Sequence, residues 1–300
     1  MSNLIYAIVL NWNNAPDTIE CIESLKKTGS IDFKILCVDN GSEDKSCGKI
    51  REAHPDIEFL ETGANLGYAG GNNAGIKYAM EKGAGYFWIL NNDTVADANA
   101  LKPMIESLKG DSTAGAAGSV IMRYDNKHII WFAGGIYDRK RGYTSHYLEN
   151  RSIEEVKPAT VPEKFDFVSG ASFVVTRKAI EKTGYLDSGL FLFYEEIDYC
   201  FRLNKAGFKY LMCPGSIVYH KVSASLGDDS PLKLYYYTRN RLYISKKYFP
   251  RYFTLVLLWC IRWPLLPSFV KKRKRIPYVL AAFRDFFAGR RGALNERKKT

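Results

Sequence analysis

The sequence predicts an α/β fold with a mostly parallel central sheet and flanking helices. Over the first hundred residues, short apolar runs of strand length alternate with segments of helical periodicity. Each apolar run leads into a polar loop, and in parallel sheets such loops meet at the carboxyl edge, where ligands bind. With 300 residues and 46% hydrophobic content, the chain can bury a sizeable core around this sheet.

The elements of the first hundred residues follow in order from these patterns. Apolar runs predict buried strands at residues 4–10, 33–38, 57–61 and 86–90. Helical spacing predicts helices at residues 17–27, 45–53 and, after a Gly- and Asn-rich loop, 71–82. In the first helix Ile19, Ile22 and Leu25 share one face, and Gly29 is placed to end it.

Beyond residue 100 the alternation loosens. Further strands are predicted at residues 114–122, 167–176 and 211–220, and helices at 178–183 and 195–206. A long polar stretch, residues 124–163, separates the first two of these strands. From residue 232 the composition changes to Tyr, Arg, Lys and bulky apolar residues, which predicts the end of the main body there.

The net charge of +11 is unevenly placed along the chain. Residues 233–300 carry 18 Lys or Arg and two acids, whereas residues 1–232 carry 25 basic and 30 acidic residues. A neutral to acidic body with a strongly basic tail indicates a polyanionic partner, either an anionic membrane or a nucleic acid. Because nothing in the sequence matches a nucleic-acid-binding module, we expect no nucleic acid.

Cysteine usage and the amino terminus predict a cytoplasmic protein. The six cysteines are scattered without a Cys-x-x-Cys pair, which argues against a zinc ribbon and favours reduced, buried thiols. The first ten residues have neither the basic region nor the cleavage site of a signal peptide.

Asp39 stands directly after the second apolar run, with Asn40, Gly41 and Ser42 behind it. A carboxylate there can accept hydrogen bonds from a base N–H or a ribose hydroxyl, and the glycine lets a ligand approach the backbone. The same residues also suit an Asx turn that caps the next helix. Both interpretations are open from the sequence.

Residues 65–75 contain four glycines and three asparagines. Their accessible backbone N–H groups, leading into a helix N-terminus, suit a phosphate. The segment matches neither a Walker loop nor a dinucleotide-binding fingerprint. A tight turn followed by a closely packed helix is the alternative.

Asn91, Asn92 and Asp93 follow the strand predicted at 86–90. One carboxylate and two amides can hold a hard divalent cation when a diphosphate supplies the remaining ligands. A single charge calls for a second protein ligand, and His220, which follows an apolar run, is the candidate. The alternatives are a simple polar turn and a packed histidine.

Three acids, Glu195, Glu196 and Asp198, begin the helix predicted at 195–206. The helix dipole favours acids in a first turn, so capping alone could explain them. Residues 189–193 before them are apolar, however, and a carboxylate beside such a wall has a raised pKa that suits a general base. Asp198 lies four residues before Arg202 and is interpreted as its ion-pair partner, leaving Glu195 or Glu196 as catalytic.

In their order, these segments resemble the inverting family-2 glycosyltransferases with a GT-A fold, particularly the rhamnosyltransferase-like branch. The resemblance covers roughly three-quarters of the chain, and the order of its motifs is more specific than any one of them. It rests on residues 9–13, 38–42, 65–72, 90–93, 170–171 and 194–198 and on His220. Two positions depart from the family: Asn stands at the first two places of the metal motif, and Glu replaces the usual Asp base.

The resemblance implies a nucleotide diphospho-sugar donor, such as dTDP-rhamnose, and a cell-envelope glycan or lipid-linked acceptor. Asp93 and His220 would hold Mg²⁺ or Mn²⁺, and Glu196, the second acid of its cluster, would be the base, with Glu195 the neighbouring candidate. The reaction would be a single displacement with inversion. The implied donor-binding residues are Asn11, Asp39, Asn65, Gly67, Gly71, Asn72, Asn91, Asn92 and Asp93.

The resulting domain prediction has two parts. Residues 1–231 form the GT-A catalytic domain, with a nucleotide-sugar half at about 1–110 and an acceptor half at about 111–231. In the acceptor half, residues 124–163 are either an acceptor-side insertion or a mobile loop. Residues 232–300 form a basic, aromatic, helical extension.

Residues 255–275 of the extension predict a segment that lies on an anionic membrane. The apolar run 255–270 is too interrupted to span a bilayer, and the basic run 271–275 follows it. The aromatic side chains suited to headgroup depth are Trp259, Trp263 and Phe269. We therefore expect a peripheral protein on the inner face of the cell membrane, the alternative being a solvated basic helix packed on the body.

Two other classes of function compete with the enzyme. Asn91 and Asn92 motivate a non-catalytic nucleotide-sugar or glycan-binding protein on the same fold. The basic tail motivates an adaptor that binds RNA or membrane. Retention of Asp93, Glu196 and His220 favours the transferase.

Overall fold

The computed structural model describes residues 2–29, 31–155, 164–221, 230–262 and 275–294. The strands in these ranges are β1 (Ile5–Asn11), β2 (Lys34–Asp39), β3 (Glu58–Glu61), β4 (Tyr86–Asn91), β5 (Thr94–Ala96), β6 (Ala114–Arg123), β7 (Ile130–Phe132), β8 (Gly135–Asp138), β9 (Tyr143–His146), β10 (Ser172–Thr176) and β11 (Lys209–His220). The helices are α1 (Ala15–Lys26), α2 (Ser46–Ala53), α3 (Gly67–Glu81), α4 (Leu101–Gly110), α5 (Arg177–Thr183), α6 (Glu195–Lys205), α7 (Pro231–Tyr248), α8 (Phe253–Arg262) and α9 (Ile276–Phe287).

A nine-stranded sheet forms the centre of the described structure, in the order β3-β2-β1-β4-β10-β6-β11-β5, with β7 beside β6. Strands β3, β2, β1 and β4 pair in parallel, and β6 and β11 run in the same direction. Strand β10 is antiparallel to both of its neighbours, and β5 and β7 are also reversed. The predicted α/β fold is confirmed, and its mostly parallel sheet brings the ends of β1, β2, β4 and β11 to one edge.

Helix α3 begins at Gly67, four residues before the predicted start, so all four glycines of the predicted loop lie in the helix. Glycine is a weak helix former, but here its lack of a side chain permits close packing on the sheet. A Cβ on Gly71 would lie 2.4 Å from Leu10 Cδ1, and one on Gly75 would lie 2.6 Å from Ile8 Cγ2. The structure therefore has the closely packed helix given as the alternative for residues 65–75, and phosphate binding at its N-terminus stays a prediction.

Two elements that precede the acceptor half were not predicted. Helix α4 buries Leu101, Met104, Ile105 and Leu108, an i, i+3, i+4, i+7 pattern that could have identified it. Strand β5 is three residues long, and its pairing with the distant β11 creates it. Short strands of this kind carry too few residues for a periodic signal.

The polar stretch after residue 123 contains β7 and the separate two-stranded sheet of β8 and β9. Residues 156–163 of that stretch lie outside the described residues. The strand predicted at 167–176 begins only at Ser172, and the residues before it contact other elements. There Phe167 forms a bridge with Gly135, and the carbonyl of Gly170 accepts a hydrogen bond from Tyr68.

The described part of the carboxyl-terminal region is helical and packs on the body. Helix α7 buries nine residues, and α9 packs against it. Helix α8 turns Val256 and Cys260 inward and leaves Leu258 57% exposed. Residues 263–274, with Trp263, Phe269 and most of the predicted basic run, lie outside the described residues. Within the described ranges, no helix is long and apolar enough to cross a membrane.

Candidate active site

A cavity of about 280 Å³ opens at the carboxyl edge of the sheet. Five of the residues predicted from sequence line it: Asn91, Asp93, Glu195, Glu196 and His220. They come from β4, the turn after it, α6 and the end of β11, which are far apart in the chain. The fold thus brings the predicted metal ligands and the predicted bases to one cavity.

Asp93 and His220 are in direct contact, with 3.1 Å between Asp93 Oδ1 and His220 Nε2. The antiparallel pairing of β11 with β5 sets this contact, since His220 lies opposite Thr94. Both side chains are nearly buried, with exposed fractions of 6% for Asp93 and 11% for His220. The edge of the Trp131 ring packs on the imidazole at 5.2 Å between centroids.

The pair fits a divalent cation as two neighbouring ligands. Ligands at about 2.1 Å in an octahedral shell stand about 3.0 Å apart along an edge, close to the 3.1 Å separation seen here. Among the described residues, no group of three or more His, Cys, Asp and Glu side chains could hold a metal. Asp93 and His220 would therefore supply two ligands of a cation's coordination shell.

The two glutamates of α6 differ in their environments. Glu195 is 1% exposed, and its Oε1 is buried without a hydrogen-bond partner among the described residues. Burial raises the pKa of Glu195 well above its usual range, and the charge of Glu196 raises it further. Glu196 is half-buried at the cavity wall, and burial raises its pKa to about 7. A carboxylate with that pKa can accept a proton near neutral pH.

The loop before α6 has an unusual backbone. Phe191, Phe193 and Tyr194 all have positive φ angles of 67° to 75°, a region that costs a bulky residue of order 1–3 kcal/mol. Helix α7 stabilises this loop. The amide of Asn240 donates to the carbonyls of Leu190, Leu192 and Phe193 at 2.8–2.9 Å.

Arg239, the neighbour of Asn240, is also buried and holds the same loop. Its guanidinium donates to the carbonyl of Leu190 at 2.8 Å and to that of Gly292 at 2.6 Å. Its Nε donates to the Asn240 side-chain oxygen at 3.0 Å, which fixes the orientation of that amide. The position of the two glutamates thus depends on a helix that sequence patterns placed outside the catalytic body.

Asp198 is structural, as predicted, and its ion pair with Arg202 is confirmed at 2.8 Å. Lys247 and the Tyr248 hydroxyl, both of α7, contact the other oxygen at 2.6 and 2.7 Å. Burial alone would raise the pKa of Asp198, but the two cations outweigh it and lower the pKa below its ordinary value. Asp198 therefore joins α6 to α7.

We expect Asp198→Asn to lower the free energy of unfolding at pH 7 by about 1–3 kcal/mol, less than for a fully buried pair because Lys247 is half-exposed. Since the folded pKa is depressed, this contribution is complete above the unfolded value of about 3.8 and disappears as the pH falls through the folded pKa. Urea titrations of wild type and variant at pH 7 and pH 3 measure it. A difference that is equal at both pH values would contradict the charge-based account.

Asn11 and Asp39, which are predicted to contact the donor, form a buried pair at the ends of β1 and β2. The Asn11 amide donates to Asp39 Oδ1 at 2.8 Å, and the Ser42 N–H donates to Asp39 Oδ2 at 3.0 Å. Asp39 therefore makes a local turn, but it does not cap the next helix as the alternative predicted, because the N-cap of α2 is Lys45 and has no side-chain cap. Neither side chain lines the described cavity, so donor contact by Asp39 stays a prediction.

Four further predicted residues have contacts with the protein itself. Asn65 accepts from the Gly67 N–H at 2.9 Å, and a Cβ on Gly67 would lie 2.3 Å from the Phe191 carbonyl. Gly71 packs on β1. Asn72 is fully buried, and its side-chain amide donates a hydrogen bond to the Tyr68 carbonyl. Outside the cavity lining lie Asn11, Asp39, Asn65, Gly67, Gly71, Asn72 and Asn92.

Several lining residues were not predicted as site residues from the sequence, among them Tyr68, Trp131 and His146. Tyr68 donates to the Gly170 carbonyl at 2.6 Å, and burial followed by the charges of the two glutamates raises its pKa. Trp131 and His146 lie 4.6 Å apart between ring centroids on β7 and β9. They belong to the polar stretch 124–163, where isolated aromatic residues gave no periodic signal.

Comparisons with known proteins agree with this architecture. The family described as Glycosyl transferase family 2 matches residues 6–184. An N-acetylglucosaminyl-diphospho-decaprenol L-rhamnosyltransferase of Mycobacterium tuberculosis is 24% identical over 76% of this chain and 80% of its own. The low-salt glycan biosynthesis hexosyltransferase Agl10 of Haloferax volcanii is 26% identical over 81% and 76%, respectively. The dTDP-rhamnosyl transferase RfbF of Shigella flexneri is 22% identical over 82% and 81%.

Solved structures share the fold. The mannosyltransferase PcManGT from Pyrobaculum calidifontis, in complex with GDP-Man and Mn²⁺, has a TM-score of 0.58 at 12% identity, covering 94% of this chain and 86% of its own. GalNAc-T7 with UDP, GalNAc and Mn²⁺ has a TM-score of 0.56 at 16% identity, covering 72% and 42%. The family match spans more than half of the chain and includes β1, β2, β4 and the Asp93 turn. The chain therefore belongs to glycosyl transferase family 2, with a GT-A fold and rhamnosyltransferases among its relatives.

Proposed function

We propose that this glycosyltransferase moves a sugar from a nucleotide diphospho-sugar to a hydroxyl of a cell-envelope glycan or lipid-linked precursor, with inversion. The observation that carries the proposal is one cavity with a pair suited to a divalent cation, Asp93 and His220, and a half-buried carboxylate of raised pKa, Glu196. The names of the relatives support rhamnose as the sugar and dTDP as its carrier.

The donor diphosphate is proposed to lie beside Asp93 and His220. Asp93 and His220 would hold a divalent cation, which would supply positive charge at the diphosphate, and the Mn²⁺ in the two solved structures of the same fold supports this assignment. Trp131 packs on His220 and restricts its rotation. Asn91 lies at the end of β4 on the same wall, where its amide can orient the donor.

Glu196 is the proposed general base. Its carboxylate takes the proton from the acceptor hydroxyl as that oxygen attacks the anomeric carbon, and the bond to the diphosphate breaks on the opposite face. Glu195 is more deeply buried, and burial followed by the charge of Glu196 raises its pKa. Both effects disfavour a second negative charge beside the proposed base.

The non-catalytic alternative keeps the donor site and lacks the base. Asn91 and Asn92 motivate it because they replace acids that are common in the family's metal motif. A buried carboxylate with a pKa near 7, such as that of Glu196, is costly to maintain in a pure binding protein. Transfer or hydrolysis measured with a panel of donors separates the two functions.

We expect Asp93→Ala and His220→Ala each to weaken the binding of dTDP, UDP or GDP in Mn²⁺ by about tenfold or more. Calorimetric titration of each nucleotide, with Mn²⁺ and with chelator, measures this. The matched controls are Asp125→Ala and His128→Ala, which replace the same residue types at exposed positions. Equal nucleotide binding by wild type and both site variants, with or without metal, would refute the metal site.

A further inference from the structure

A second cleft, of about 660 Å³, adjoins the catalytic cavity. The two share a wall built from β9, the residue before α6 and helix α7. The shared residues are Thr144, His146, Tyr194, Lys233 and Tyr237. A molecule in the second cleft could therefore place one end against Glu196 while most of its length lies outside the catalytic cavity.

The lining of this basic cleft is strongly cationic. Its charged side chains are Arg141, Lys233, Arg241, Arg275 and a single acid, Glu149. Arg241 Nε donates to the main-chain carbonyl of Arg141 at 2.7 Å, which anchors the Arg241 side chain. A guanidinium group can donate two parallel hydrogen bonds to a phosphate, so the excess of cations in the cleft favours a phosphate or diphosphate.

An exposed apolar helix face adjoins the basic cleft. Trp259 of α8 lines the cleft, and the Arg141 guanidinium lies 5.1 Å from the centre of its ring. On the same helix, Leu255, Leu258 and Ile261 are 45–57% exposed. Leu255, Leu258 and Trp259 have the i, i+3, i+4 spacing of one face. The cationic lining of the cleft and the apolar face of α8 are therefore separated only by the side chain of Trp259.

We propose that the basic cleft binds the phosphate or diphosphate of a lipid-linked sugar acceptor, whose hydrocarbon chain leaves across the apolar face of α8. The inference rests on the proposed function and specifies the acceptor of that same site. The sugar would reach Glu196 past the residues that line both cavities, and the phosphates would face the arginines. The hydrocarbon chain would cover Leu255 and Leu258. This sequence of polar, anionic and apolar parts matches the order of surfaces along the cleft.

The test uses geranyl diphosphate as a soluble probe, with geraniol as its uncharged counterpart. Chelator is present throughout, so that no divalent ion holds the diphosphate at Asp93 and His220. The cleft variant is Arg141→Gln with Arg275→Gln, because both residues line the basic cleft and neither lines the catalytic cavity. The control is Lys102→Gln with Lys109→Gln, which removes the same charge from the exposed face of α4.

We expect wild type to bind geranyl diphosphate more tightly than geraniol, and the cleft variant to weaken the diphosphate Kd by about tenfold or more. The control variant should stay within about twofold. Equal affinity of wild type and cleft variant would overturn the proposal. If the double variant does not fold, Arg141→Gln alone, at an exposed position, gives the same comparison.

Vesicles distinguish the two sources of phosphate. If wild type ignores geranyl diphosphate but binds phosphatidylglycerol vesicles over phosphatidylcholine vesicles, and the cleft variant loses that preference, the cleft holds bilayer headgroups and the acceptor assignment fails. Nucleotide titration of the same preparations in Mn²⁺ tests the proposed function independently of the acceptor site. If wild type binds geranyl diphosphate but no nucleotide, the result counts against the donor site alone.

Discussion

Glu196→Gln is expected to lower turnover by roughly 10²–10⁴-fold while leaving donor binding nearly intact. The amide has almost the size of the carboxylate, so the cavity keeps its shape, but it cannot accept the proton of the acceptor hydroxyl. Steady-state rates with a donor and acceptor pair measure the loss, and nucleotide titration verifies the donor site. Glu195→Gln, one residue away, is the matched control and should lose far less.

The pH dependence gives an independent readout of the same residue. Because burial raises the pKa of Glu196 to about 7, the base is protonated and inactive below that pH. We expect kcat/KM to rise with pH and to level off above about 7, and the rise should be absent in Glu196→Gln. If Glu195→Gln instead abolishes turnover and the pH-dependent rise, the assignment of the base is off by one residue.

The sign of the stability effect is opposite to that of activity. A carboxyl whose folded pKa is raised destabilises the protein as the pH rises from its unfolded value of about 4.5 through the folded value near 7. Glu196→Gln should therefore unfold at a higher temperature than wild type at pH 8 and at a similar one at pH 4. Such a gain in stability on loss of activity is typical of a functional site.

Asn240→Leu is expected to have the second large effect. It removes the amide that donates to the carbonyls of Leu190, Leu192 and Phe193. Leaving buried carbonyls without a donor costs about 1–3 kcal/mol each. Since Arg239 still serves Leu190, we expect the free energy of unfolding to fall by about 2–4 kcal/mol in total.

Activity should fall together with stability in this variant. The positive φ angles of Phe191, Phe193 and Tyr194 set the direction in which α6 begins. If the loop returns to ordinary φ angles, we expect Glu196 to move away from the acceptor. Urea unfolding and kcat at a temperature where the variant is folded measure the two effects. The control is Asn99→Leu, the same substitution at an exposed position. An unchanged kcat in folded Asn240→Leu would show that the loop does not position the base.

The extent of what could be predicted from sequence differs between the two halves of the site. The strands that carry Asp39 and Asp93 are apolar runs with polar ends, and that pattern is local, so it could be recognised. The ion pair of Asp198 with Arg202 was predictable for the same reason, because i, i+4 spacing sets it within one helix. Helix α4 has an equally clear local pattern, because Leu101, Met104, Ile105 and Leu108 lie on one face.

Residues 65–75 show where local patterns leave two structures open. Glycines suit both an open anion-binding loop and a closely packed helix. The choice between the two depends on whether another element covers them. In the structure, β1 and β2 lie against Gly71 and Gly75, so the segment is helix. Whether such a segment is an open loop or a helix therefore depends on the element that packs against it, which here is remote in sequence.

Local patterns were enough to predict the fold class, the family and the residue types of the chemistry, because these depend on periodicity and on the order of short motifs. Which of these residues meet in the site depends on the tertiary structure. The pairing of β11 with β5 brings His220 to Asp93, and burial by distant segments separates the roles of Glu195 and Glu196. The tertiary structure also places α7, with Arg239 and Asn240, against the loop before α6. Contacts between residues far apart in the chain produce no periodic pattern in the sequence. Each of these side chains packs against a partner that comes close only when the chain folds.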